Sequence, residues 1–106
     1  MTQIYIALPD ETDPARVPAL IEGFCAQVGM QITLTATLKM YPGCTHWHLK
    51  NGARSGILEV TWWPRDAKGQ PDRLWLSVHR NRRTPWTDDF KPVLKALLEA
   101  ALKPEA

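Results

Sequence analysis

The sequence predicts an α+β fold: a two-layer sandwich in which two helices cover one face of a five-stranded, mainly antiparallel sheet, in the order βαββββα. Three observations predict it. Two stretches, one towards each end, repeat apolar residues at helical spacing. Between them the spacing changes to two and holds through four segments. Pro- and Gly-bearing turns separate those segments, and strands joined by short turns pair antiparallel. The 106 residues, 44% hydrophobic and 23% charged, have the size and composition of one globular domain over 1–106.

Ile4, Ile6 and Leu8 alternate with Tyr5 and Ala7, a short strand ended by Pro9. Asp13-Pro14 starts a helix, a capping side chain followed by a proline whose missing amide is not needed there. Pro18 makes its first turn irregular, and the regular helix begins near it. Val17, Leu20, Ile21, Phe24 and Val28 form its apolar stripe, and Gly29 suits the left-handed cap. From Gln31 the period is two: Ile32, Leu34, Ala36, Leu38 and Met40 share one face, Thr33, Thr35, Thr37, Lys39 and Tyr41 the other. Pro42-Gly43 breaks that strand, and 44–50 is the next, closed by Asn51-Gly52. The fourth strand is 57–63, the fifth 74–81, with a polar loop at 66–72 between them. Thr87-Asp88-Asp89 caps the last helix, whose stripe is Phe90, Val93, Leu94, Leu97, Leu98 and Ala101.

With both helices on one side, alternation divides the sheet. Leu34, Leu38, Trp47, Leu49, Leu58, Val60, Trp62, Leu74, Leu76 and Val78 are expected to face the helices. Thr33, Thr35, Thr37, Lys39, His46, His48, Lys50, Glu59, Thr61, Trp63, Trp75, Ser77, His79 and Asn81 are expected on the far face. Two Trp left in water there make an apolar patch, the mark of a contact surface. The function expected is that of a small soluble binding or interaction module acting through this Trp/His/Thr-rich face. The binding residues are Tyr41, His46, His48, Trp63, Trp75, His79, Arg80, Arg82 and Arg83. Self-association, a homodimer with Trp63 and Trp75 as anchors, is the first expectation for the partner, or else another protein.

The alternative is single-stranded nucleic acid, with bases stacked on Trp63, Trp75 and Tyr41 and phosphates met by the basic side chains. The net charge of +2 hides a split: residues 1–30 sum to −3, 31–83 to +6 and 84–106 to −1. The most basic stretch holds Arg80, Arg82 and Arg83, which equally suits a solvated strand end paired with Asp88 and Asp89.

Cys44, His46 and His48 alternate and are candidate metal ligands, with His79 or Glu59 to complete a set. A His-x-His pair on a strand also arises by chance. No phosphate-cradling Gly-rich loop, His-Glu-x-x-His or Gly-x-Ser-x-Gly is present, so no reaction is named, an enzyme is not expected and no cofactor is called for. Two cysteines make no disulfide framework, and neither a leader pattern nor a membrane-length apolar run is seen. A cytoplasmic protein with free thiols, away from membranes, is expected.

Overall fold

The computed structural model describes residues 3–9, 12–65 and 71–102. Strand β1 is Gln3–Tyr5, helix α1 Val17–Gln27, β2 Gln31–Ala36, β3 Thr45–Lys50, β4 Leu58–Trp63, β5 Arg73–Ser77 and helix α2 Pro85–Leu102. The α+β class and the order βαββββα are as expected. The strands lie in the order β1-β5-β4-β3-β2, and every neighbouring pair is antiparallel. The β1–α1–β2 connection therefore carries the chain from one edge of the sheet to the other. The expected polar loop falls largely on 66–70, outside the described residues. Its flanks are tied, because Arg65 N and Nη2 donate to the two Asp72 carboxylate oxygens at 2.6 and 3.0 Å.

Asp13 caps a single 3-10 turn, Pro14–Arg16, by accepting from Ala15 N at 3.0 Å. The α-helix proper starts at Val17, with Pro18 in a first turn whose amides have no intrahelical partners anyway. Gly29 ends it at φ +78°, a conformation that disfavours any side chain. The start of α2 corrects the expectation. It begins at Pro85, and Thr87 closes the first turn from within: Thr84 N donates to Thr87 Oγ1 at 3.0 Å, and that hydroxyl donates to Thr84 O at 2.8 Å. The buried row of α2 runs at four-residue spacing through Trp86, Leu94 and Leu98, with Phe90 and Leu102 packed beside it. Val93, expected in that row, is 48% exposed.

One hydrophobic cluster joins Val17, Ile21 and Cys25 of α1 and Leu94 and Leu98 of α2 to Trp47, Leu49, Leu58, Val60, Trp62, Leu74 and Leu76 of the sheet. The expected faces of β3, β4 and β5 are thus observed. The face of β2 is not. Ile32 pairs with Leu49, but Leu34 pairs with His48, so a β-bulge at Thr33 places one extra residue in the edge strand. A one-residue shift exchanges the faces of everything after it. Leu34 and Ala36 therefore leave the helix side. The strand also stops at Ala36, short of the expected 41. The fifth strand stops at Ser77, and residues 80–82 form a 3-10 turn that opens with Arg82 N bonded to His79 O at 2.9 Å. No helix among the described residues is long and apolar enough to cross a membrane.

Candidate functional site

The bulge changes what the helix-free face is. Instead of an open surface it holds a cavity of about 340 Å³. Leu34, Ala36, Leu38 and Met40 form one wall, His46, His48, Glu59, Thr61, Trp75 and Ser77 form the floor, and His79 stands at the end. The alternation read from Leu34 to Met40 is real, but it supplies this second apolar wall rather than the helix-facing core.

The segment between β2 and β3 is fixed as a partial roof. Tyr41 N donates to Leu38 O at 3.1 Å and Cys44 N to Tyr41 O at 3.0 Å. The Cys44 sulfur accepts from Leu38 N at 3.3 Å, and Trp63 Nε1 donates to Pro42 O at 3.0 Å. This brings the Tyr41 ring centre to 4.9 Å from Trp63 and 5.1 Å from Trp75, while Tyr5 stands 5.8 Å from Trp75. Tilted and edge-on ring pairs of this kind are worth about 0.5–1.5 kcal/mol each beyond their buried area. Trp75 is consequently buried. The expected water-exposed Trp pair is thereby corrected: Tyr41 packs on both Trp63 and Trp75, Trp75 is buried and Trp63 half-buried, and Arg73 covers Trp63 at 5.6 Å.

At the centre of the floor is Glu59, 2% exposed. Its Oε1 lies 2.9 Å from His46 Nε2 and 3.6 Å from His48 Nε2. Its Oε2 accepts no hydrogen bond, although His79 Nε2 is 3.3 Å away. On the other side of the His46 ring, Nδ1 is 2.8 Å from Thr61 Oγ1. The register explains the convergence. His46 lies opposite Thr61 and His48 opposite Glu59 across β3 and β4, and Ser77 lies opposite Glu59 on β5.

A carboxylate taken out of water must be compensated. Burial pushes the Glu59 pKa up, but the hydrogen bond from His46 and the nearby charges of His79, His46 and His48 outweigh it and hold the group below its ordinary value. His48 is also held below its ordinary value, by burial first and then by His46, Arg82 and His79, against the opposing pull of Glu59. An ionised Glu59 carboxylate and a neutral His48 imidazole are therefore the favoured forms around pH 7.

Of the expected site residues, the structure brings together His46, His48, His79 and Trp75, with Tyr41 in the roof and Trp63 packed against Tyr41 outside the cavity lining. It does not bring in the basic run. Arg80 and Arg82 sit on the 3-10 turn beyond the sheet, and Arg83 Nε donates to both oxygens of Asp88 at 3.0 Å. Cys44 also stays outside the cluster of ligand-bearing side chains, which is His46, His48 and Glu59, because its sulfur is engaged by the Leu38 amide. The wall residues Leu34, Ala36, Leu38 and Met40 were not expected at a site. The available signal was length: ten alternating residues exceed what the seven-residue neighbouring segments can pair. Comparison of the chain with models of protein families, with curated proteins and with solved structures finds no match.

Proposed function

We propose that this chain is a small binding module whose binding face is the helix-free side of the sheet, with the ligand seated in the pocket over Glu59. The observation that carries the reading is a buried carboxylate with one oxygen free of hydrogen bonds, at the floor of a cavity walled by apolar side chains and bordered by three imidazoles. A concave apolar pocket with a few convergent polar groups is the usual form of a small-ligand site. A cytoplasmic setting belongs to the same reading, because Cys25 and Cys44 are both free thiols.

Pairing of two chains by this face is the second reading. It is favoured by the apolar side chains left in water around the pocket: Met40 at 78%, Tyr5 at 51% and Leu34 at 43% exposure. The nucleic-acid reading draws less support, since its stacking ring Trp75 is buried and its Arg83 is engaged with Asp88.

The test is a small-molecule screen in chelator-treated buffer, followed by carbon-edited NMR of the His and Trp rings. Ligands are expected to shift His46, His48, His79 and Trp75 first. Ligands that gather instead in the depression lined by Met30, Arg54, Trp86 and Phe90, on the α2 side, would refute the assignment. Light scattering decides the second reading: a dimer that Met40→Arg and Leu34→Arg return to monomer supports pairing, and a monomeric parent chain removes it.

A further inference from the structure

We infer that His46, His48 and Glu59 form a binding site for a divalent transition-metal ion of the Zn²⁺ type, set in the floor of the pocket. The inference rests on the reading of that pocket as the binding site and names what is bound there.

The donor set is the first argument. Two imidazole nitrogens and a carboxylate are the ligands that borderline divalent ions take, and a site with three protein ligands leaves a position open. The donor atoms of the three residues all lie within 4.8 Å of one another. At zinc-to-nitrogen and zinc-to-oxygen distances of about 2.0–2.1 Å, tetrahedral geometry separates neighbouring donors by roughly 3.3 Å. The two imidazole nitrogens stand 2.9 and 3.6 Å from Glu59 Oε1, on either side of that spacing. Two of the three donor spacings therefore lie within a few tenths of an ångström of that geometry, and the third, between the imidazoles, is no more than 4.8 Å.

The support of the ligands is the second argument. Metal-bound histidines donate the other ring nitrogen's proton to a fixed acceptor, which sets tautomer and orientation. His46 has that partner in Thr61, 2.8 Å from Nδ1 and 1% exposed. Without metal, Nε2 donates to Glu59 and the hydroxyl donates to Nδ1. With a metal on Nε2, Nδ1 donates and the hydroxyl accepts. A hydroxyl serves both states, which an ionised carboxylate at position 61 does not. The third argument is the buried carboxylate itself: Glu59 Oε2 accepts no hydrogen bond, with His79 Nε2 3.3 Å away, and a cation at Oε1 adds compensation for the buried charge.

The site sits on the central strands β3 and β4, so its geometry is fixed by the sheet rather than by loops. The ion is reached through the pocket, and a ligand entering from the Leu34–Met40 side meets it directly.

The experiment is titration of the metal-free chain with Zn²⁺ by calorimetry, and with Co²⁺ by visible absorption. One ion per chain is expected, with d–d bands of a low-coordinate nitrogen and oxygen site. Glu59→Gln and His48→Ala should each weaken Zn²⁺ binding by about 100-fold, and Thr61→Val by about 10-fold or more. His48 is partly exposed, so its variant keeps the fold, which circular dichroism checks. Cys44→Ser should leave the affinity unchanged. No saturable binding of Zn²⁺ or Co²⁺, or affinity that survives His48→Ala in a folded chain, overturns the inference. So does affinity lost in Cys44→Ser. If organic ligands still shift the same rings while Zn²⁺ does not bind, the metal inference fails alone. If neither reaches those rings, the binding-face reading fails with it.

Discussion

Replacing Leu34 and Leu49 by alanine in separate variants measures the bulge directly. Leu49 is fully buried against the helices, and truncating such a leucine removes the transfer free energy and leaves a cavity, together about 2–5 kcal/mol. Leu34 keeps 43% of its surface in water, and the atoms removed open onto the existing pocket rather than an enclosed void. Only the transfer part remains, and little more than half of the roughly 1.5–3 kcal/mol for a full leucine applies, so the expected loss is about 1 kcal/mol. For a chain near this size 1 kcal/mol moves the melting temperature by about 4–8 °C. Leu34→Ala should therefore melt a few degrees below the parent, and Leu49→Ala at least twice as far below it. The assay is thermal and urea unfolding followed by circular dichroism at one pH and one salt concentration. Equal losses in the two variants would refute the register, because they would put Leu34 under the helices.

Three other expectations follow from the same geometry. Gly56 sits at φ +104°, and a Cβ there would come within 2.5 Å of Thr84 Oγ1, so Gly56→Ala should lose roughly 1–3 kcal/mol in urea unfolding; an unchanged midpoint would refute it. The Cys25 thiol is pushed up to about 11 by burial and then by Glu22, so alkylation of the native chain at pH 8 should leave it intact until denaturant is added; rapid native labelling would contradict this. In chelator-treated protein, stability should fall with acid in two stages. His48 is held below its ordinary 6.5, so its share is full above that pH and declines as the pH falls towards the lower folded value. Glu59 is held below its ordinary 4.5, so its share is full above that pH and is lost as the pH falls through the folded value. His48→Gln should erase the upper stage, and an unchanged upper stage in that variant would show that the titrating group lies elsewhere.

The faces of β3, β4 and β5 were legible because each strand is short, central and bounded by turn residues, so alternation had only one phase to take. That placed His46, His48, Glu59, Thr61, Trp75 and Ser77 together from residue order alone. The phase of β2 was not legible. A bulge leaves no residue signature here, since Thr33 sits among other threonines, and the apolar run past it looks the same under either face. Once β2 is placed one residue out, the pocket disappears from view, because its wall is counted as core and its floor as open surface. The roof was illegible for a related reason. Tyr41 and Trp63 meet through a loop held by a cysteine sulfur and a proline carbonyl, partners that no periodicity announces. The basic run misled because His79 ends the extended backbone, and the arginines after it turn off the sheet.

The bulge in β2 also bears on how this chain behaves at high concentration. An open sheet presents its outermost backbone amides and carbonyls to any other extended chain, and a straight edge is a template for runaway strand addition. Here one edge, β1, spans three of the described residues. The other is β2, whose hydrogen-bonding rhythm is interrupted between Ile32 and Leu34. An incoming strand in regular register can match this edge on one side of the interruption but not across it. The kink that sends Leu34 into the pocket thus doubles as a guard against fibre growth, and a deletion of Thr33 that straightened the strand would be expected to produce aggregation as well as a lost cavity.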